Sequence, residues 1–210
     1  MEQVFKMTDL GLMNYFLGME ITQSQNEVFI CQKKYAKEIL KKFQMEECKA
    51  VGTPMNQKEK LSKGDGTENV DEGYYRSLVG CLMYLTTTRS DILFAVNLLS
   101  RFMHCASELH LIAAKRVLRY IKSTISYGVK FGKSYDFKLC GFSDSDWAGS
   151  VDDMKSTSGY CFSFGSGFAI VSVLVQVSSL GAQRSKRLLH NLLQKLSLLQ
   201  QQQQLIKFYG

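Results

Sequence analysis

The feature that most constrains this fold is a change of hydrophobic period along the chain. From Tyr74 to Thr124 apolar residues recur at helical spacing, through Leu78, Leu82 and Leu85 in "YYRSLVGCLMYLTTT" and again in "SDILFAVNLLSRFM" and "SELHLIAAKRVLRYIKST". On either side the pattern is that of strands. "YFLGMEITQSQNEVFICQ" (15–32) reads as a hairpin around the polar "TQSQNE". "YGVKFG" (127–132), "FKLCGFSDSD" (137–146) and "SGYCFSFG" (158–165) read as three successive strands, and "FAIVSVLVQVSSLG" (168–181) as another. One further helix is expected at 33–45, where Tyr35, Ile39, Leu40 and Phe43 share a face and the lysines point away. Runs of strands and helices segregated in this way define an α+β fold class.

Local signals punctuate these segments. Ser90 and Asp91 are plausible caps for one helix, and Ser107, with Glu108 in the first turn, for the next. "NQKEKLSKGDGTENVDEG" (56–73) is polar and poor in apolar residues, which predicts a linker or mobile loop. Lys115, Arg116, Arg119 and Lys122 form a basic stripe on the last helix; it suits a nucleic-acid backbone or a solvated surface equally well.

Composition sets outer limits. The chain has 210 residues, 45% of them hydrophobic and 21% charged, enough for one large domain or two small ones. The net charge of +7 invites a nucleic-acid reading. However, Lys155, Arg184, Lys186, Arg187, Lys195 and Lys207 lie in an acid-free stretch from Met154 to Gly210, so the rest of the chain is almost neutral. The six cysteines are scattered, as expected of free thiols in a reducing compartment. His104, Cys105 and His110 lie close in sequence without a fourth ligand at zinc-site spacing. With no long apolar run and no signal-peptide pattern, a cytoplasmic or nuclear setting without a membrane is expected.

The ordered segments "TDLGLMNYFLGMEI", "QKKYAKEILKKFQM", "YRSLVGCLMYLTTTRSDILFAV", "LSRFM", "AAKRVLRYIKST", "GFSDSDWAG" and "DDMKSTSGY" resemble a copia-type retrotransposon Pol polyprotein of plant type, over about residues 2–166. The resemblance implies a reverse transcriptase palm remnant at 1–55, a linker at 56–73, a helical connection at 74–125 and an incomplete ribonuclease H-like mixed sheet at 126–167. The 168–210 tail then stands apart. It also implies that the 15–32 hairpin borders a primer terminus, which makes Tyr15, Phe16, Leu17 and Gly18 candidates for contact with a primer–template duplex or RNA–DNA hybrid. Asp144 is implied as the first metal-binding carboxylate of the ribonuclease H site, with Asp146 a weaker candidate. Ser90 departs from the family's usual Pro, and Met154 from its usual basic residue.

Two absences bear on activity. The polymerase holds two Mg²⁺ ions with a Tyr-x-Asp-Asp turn and an upstream Asp, and this chain contains no such turn. Ribonuclease H chemistry needs carboxylates from separated segments around two Mg²⁺ ions about 3.5–4 Å apart. Here Asp144, Asp146, Asp152 and Asp153 all fall within ten residues and nothing acidic follows. Written with the codons ACT GCA GAA GCT GAG TTT, Thr-Ala-Glu-Ala-Glu-Phe shifted by one base yields Leu-Gln-Lys-Leu-Ser, the residues found at 193–197, and a run of GCA alanine codons shifted the same way yields glutamines such as those of 200–204. The tail therefore reads as out-of-frame ribonuclease H sequence, or else as a basic amphipathic helix. A sheet left without its helices would expose "FAIVSVLVQV" to association and aggregation.

Overall fold

The computed structural model describes residues 12–56, 61–132, 139–145, 152, 156–164 and 167–177. The chain divides into two compact units, Met1–Phe142 with Cys161–Ser172, and Ser143–Tyr160 with Val173–Gly210. The described part is α+β, as expected.

The first unit opens with three short strands, β1 (Tyr15–Phe16), β2 (Met19–Gln23) and β3 (Glu27–Cys31), followed by α1 (Lys33–Lys42). Two further helices, α2 (Glu72–Leu85) and α3 (Leu93–Ser100), flank a 3₁₀ turn at Ser90–Ile92, and α4 (Glu108–Ser123) leads into β4 (Gly128–Gly132). β4 does not join the strands that follow it. It lies antiparallel to β3, with Cys31 opposite Gly128 and Glu27 opposite Gly132, completing a sheet of order β1-β2-β3-β4. Strands β5 (Leu139–Ser145), β6 (Ser156–Phe164) and β7 (Gly167–Val177) form a separate sheet in that order. The sequence grouped residues 127–132 with the later strands. Strand alternation cannot tell which of two sheets a strand will join.

The helices enclose one apolar core. Leu78, Leu82 and Leu85 of α2 are buried, as the helical spacing predicts, against Val96 and Leu99 of α3 and Val117 and Leu118 of α4. α1 adds Ala36, Ile39, Leu40 and Phe43, the face read from the sequence with Ala36 included and Tyr35 only half-buried. Tyr75 is fully buried, and its hydroxyl donates to the Leu99 carbonyl at 2.9 Å, so its polar end is satisfied.

The capping signals divide. Ser107 caps α4 as expected: His110 N–H donates to its Oγ, and its own N–H donates to His110 Nδ1 at 3.0 Å. Ser90 and Asp91 do not cap α3, whose N-cap is Ile92. Asp91 instead binds Arg89, bidentate at 2.9 and 2.7 Å. An ion pair to a buried guanidinium outcompetes one capping hydrogen bond.

Of the polar stretch 56–73, residues 61–70 are irregular and pinned, Asp71 caps α2, and Glu72 and Gly73 begin that helix. Leu61 is buried in the core, Val70 N–H donates to Ala106 O at 3.0 Å, and Glu108 N–H donates to Glu68 O at 3.0 Å. Ser107 Oγ donates to Asp65, and Asp65 also accepts from the Thr67 amide at 2.9 Å and hydroxyl at 2.8 Å. These bonds, with that from Ser107 the largest contribution, hold the Asp65 carboxyl down at about 2. A depressed carboxylate stabilises the fold above its ordinary range near 3.8 and loses that contribution as pH falls toward about 2. Asp65→Asn is therefore expected to flatten the acid side of the melting-temperature profile between those values. An unchanged acid limb would show that the loop is held by other contacts.

Candidate nucleic-acid interface

The hairpin tip is built by a two-residue turn. Leu17 and Gly18 have φ of 47° and 75°, and Phe16 pairs with Met19 across them. Two successive left-handed residues make a turn of the primed kind that matches strand twist, a conformation open to glycine and uncommon for leucine. The side chains beside the turn face solvent: Tyr15 is 55% exposed, Phe16 49% and Leu17 68%. All four tip residues singled out in the sequence thus meet at one place.

α1 stands next to this tip. Its N-cap, Gln32, makes no side-chain cap; the Glu20 carboxylate of β2 reaches over and accepts from Lys34 N–H at 2.7 Å. An acidic group at a helix N-terminus complements the exposed amides there. This arrangement brings Lys34 Nζ to 5.5 Å from the Tyr15 ring centroid. Lys34, Lys37 and Lys41 follow at i, i+3 and i+7, all exposed and turned away from the core face. An exposed aromatic therefore adjoins the first cation of an exposed row. The sequence displayed these lysines as a solvated face. The nearness of Lys34 to Tyr15 depends on a contact between residues 14 positions apart, which helical spacing alone does not reveal.

The basic stripe on α4 is placed differently. Arg116 donates to Thr53 Oγ1 at 2.9 Å, Arg119 Nε to the Lys49 carbonyl at 2.7 Å, and Lys122 Nζ to the Cys48 carbonyl at 2.9 Å. Ser123 Oγ adds a bond to Val51 O at 2.8 Å. Lys115 lies half-buried one turn before Arg119. Three of the four stripe residues thus fasten the 48–53 segment to α4. Arg119→Met is expected to cost about 1–2 kcal/mol of stability, the worth of a charge-assisted hydrogen bond. Denaturant unfolding reads this, and an unchanged midpoint would mean that the stripe is not holding the segment.

Asp65, Ser107 and His110 supply the residue types of a hydrolase triad, but in the arrangement of a helix cap. Ser107 is 2% exposed, its hydroxyl donates directly to Asp65, and His110 Nδ1 accepts the Ser107 backbone N–H. The His110 ring stacks on Phe102 at 3.9 Å. His104 Nδ1 lies 3.1 Å from the Arg76 guanidinium. Cys31, Cys48, Cys81 and Cys105 are free thiols.

Asp144 is carried by β5, with its carboxylate outside the described residues, and Asp146 lies outside them altogether. Among the described residues no three His, Cys, Asp or Glu side chains are grouped to hold a metal ion. The side chains of Asp144, Asp146 and Asp153, the carboxylates to which the ribonuclease H reading points, lie outside the described residues. Among the described residues no helix is long and apolar enough to cross a membrane.

Comparison with known proteins gives this geometry its context. Residues 1–57 match the family described as "Reverse transcriptase (RNA-dependent DNA polymerase)". The chain is 42% identical over 160 residues to the retrovirus-related Pol polyprotein from transposon RE1 of Arabidopsis thaliana, covering 76% of this chain and 11% of that protein. It is 38% identical over 172 residues to the Pol polyprotein from transposon TNT 1-94 of Nicotiana tabacum, covering 78% of this chain and 13% of that protein. With the "Uncharacterized mitochondrial protein AtMg00810" of Arabidopsis thaliana it shares 40% identity over 162 residues, 77% of this chain and 67% of that protein. It therefore spans only about a tenth of the transposon polyproteins it matches. No solved structure matches it. Together these matches establish that the chain belongs to the copia-type retrotransposon Pol polyproteins, with their reverse transcriptase represented in its first 57 residues.

Proposed function

We infer that this chain is a non-catalytic piece of a copia-type Pol polyprotein, and that its first unit serves as a binding surface for a primer–template duplex. The intact parent would be an RNA-directed DNA polymerase with ribonuclease H activity dependent on divalent metal. In support, these 210 residues contain no Tyr-x-Asp-Asp turn and no acidic residue after Asp153, so this stretch does not itself supply the ligands for either pair of Mg²⁺ ions. In this reading 15–32 is the hairpin at the end of the palm, 74–125 the helical connection, and 139–164 the start of a ribonuclease H-like sheet.

The observation that carries the binding role is the exposed Tyr15, beside the exposed Phe16 in sequence, with Lys34 Nζ 5.5 Å from its ring at the start of a helix whose Lys37 and Lys41 are also exposed. Aromatic rings offer stacking surfaces for bases at an open terminus, and adjacent ammonium groups neutralise phosphates. With three lysines engaged, log affinity should fall with log salt at a slope of about −3. Fluorescence anisotropy of a labelled primer–template duplex with the full chain tests this. Salt-sensitive binding without Mg²⁺-dependent extension or hybrid cleavage supports the reading. Absence of binding at low salt overturns the surface, and Mg²⁺-dependent turnover overturns the inactivity.

The acid-free tail is read, in the same proposal, as ribonuclease H sequence in a shifted frame. Of the 168–210 tail, residues 168–177 belong to β7 and those from 178 on lie outside the described residues. The gene's nucleotide sequence decides: the proposal requires a single-base shift that restores an acidic helix.

A further inference from the structure

We propose that Tyr84 is a positioning residue for the hairpin tip, so that the end of α2 sets how Tyr15 and Phe16 are displayed. The inference rests on the reading of that tip as a nucleic-acid contact, but its structural half stands without it. β1 contains only two residues, and its turn places Leu17 in a left-handed conformation that leucine rarely adopts. Its own bonds lie before the turn, with Ile21 N–H donating to Asn14 O at 2.9 Å and Gln23 Nε2 to Met13 O at 3.1 Å, and leave the Leu17–Gly18 turn itself ill suited to its residues. The fixing group comes from 67 residues away: Tyr84 Oη donates to the Leu17 carbonyl. Gly18 lets it approach, since a Cβ at that position would lie 2.6 Å from Tyr84 Oη.

The same tyrosine is anchored on its other sides. Its ring packs edge-on against Tyr35 of α1 with centroids 4.8 Å apart. Its carbonyl accepts from Gln32 Nε2 at 3.4 Å, and the Gln32 side-chain oxygen accepts from Thr88 Oγ1 at 2.8 Å. Gln32, the residue that joins the hairpin sheet to α1, is 2% exposed. The hairpin tip, the start of α1 and the end of α2 therefore share one joint, and the tyrosine hydroxyl extends it to the turn.

Tyr84→Phe removes that hydroxyl and keeps the ring on Tyr35. The full-length variant is expected to melt as the parent does, while the amides of Met19 and Ile21 exchange about fivefold faster and duplex affinity falls by a similar factor. Leu17→Asn added to Tyr84→Phe supplies an Asn-Gly turn that holds its shape unaided, and should restore amide protection. A purely packing role for Tyr84 would not produce that rescue. Exchange in Tyr84→Phe equal to the parent's, or a double variant as loose as the single one, overturns the proposal. If the parent chain binds no duplex, the surface reading falls, and the exchange result alone upholds or overturns the role of Tyr84.

Discussion

Arg89→Met is expected to destabilise the first unit by about 1.5–3 kcal/mol, since it removes charge-assisted hydrogen bonds from a buried cation whose partner Asp91 keeps a third of its side chain exposed. Arg89 is 3% exposed, yet every face of its guanidinium is engaged. It grips Asp91 with two bonds and donates to the Thr124 carbonyl at 3.0 Å and to Thr124 Oγ1 at 2.6 Å. It also lies 5.7 Å from the Tyr120 ring centroid and 5.4 Å from that of Tyr127. Thr124 closes α4 and Tyr127 precedes β4, so one cation fixes the exit of the helical core toward the sheet. Methionine fills much of the volume but strands the Asp91 carboxylate, whose remaining named partner is the Tyr120 hydroxyl at 2.8 Å. Arg89→Lys should not recover the loss, because an ammonium cannot reproduce the bidentate fork. Replacing both partners, Arg89→Met with Asp91→Leu, should recover much of it.

The pH dependence of that variant gives a second reading. In the parent, burial pushes the Asp91 carboxyl up, but the Arg89 bonds and charge and the Tyr120 hydroxyl outweigh it and hold the carboxyl below its ordinary range. Its contribution is thus present above that range and is lost as pH falls through the depressed value. Without Arg89 the burial effect remains, and the carboxyl should rise instead. The deficit of Arg89→Met should then shrink on mild acidification, because the stranded group takes up a proton. A deficit that grows or stays constant between neutral pH and about pH 4 would contradict this assignment.

Gly128→Val is expected to detach β4 from β3 while leaving the helical core folded. A Cβ at residue 128 would stand 2.8 Å from Cys31 Cβ and 2.9 Å from Phe29 Cζ, and would collide with the Ile30 carbonyl. Valine cannot be accommodated by rotation, since the obstruction includes backbone. Overpacking of this kind costs about 1–3 kcal/mol and more where the backbone must move. The register from Cys31–Gly128 to Glu27–Gly132 should be lost together, with hydrogen-exchange protection disappearing on β3 and β4 and persisting in α2, α3 and α4. Retained protection on β3 would mean that β4 is not a required part of the sheet.

The sequence makes visible whatever depends on near neighbours. The hairpin, the buried face of α1, the helical spacing of α2 and the Ser107 cap all arise from residues within a turn or a strand of one another. Contacts between distant segments stay hidden. Arg89 carries no local signal because its partners Thr124 and Tyr127 lie beyond α4. The α4 stripe resembles a free basic face because its acceptors, the Lys49 and Cys48 carbonyls and the Thr53 hydroxyl, lie more than 60 residues earlier, and carbonyls carry no sequence signature. The 56–73 segment reads as mobile because its anchors, Leu61, Asp65 and Val70, are isolated positions in a polar stretch. The tip residues follow from family resemblance; what the structure adds is Lys34, the first of the exposed α1 lysines, beside Tyr15.

If the hairpin tip and α1 hold the duplex while α4 serves the fold, the two basic surfaces must respond differently to charge reversal. One anisotropy titration across salt concentrations, on a single primer–template duplex, decides between them. The K34E/K37E/K41E chain should lose nearly all affinity and reduce the salt slope by about 3, whereas K115E should bind much as the parent does. A parent-like titration from the α1 variant, with binding lost in the α4 variant, would contradict this assignment of the surfaces.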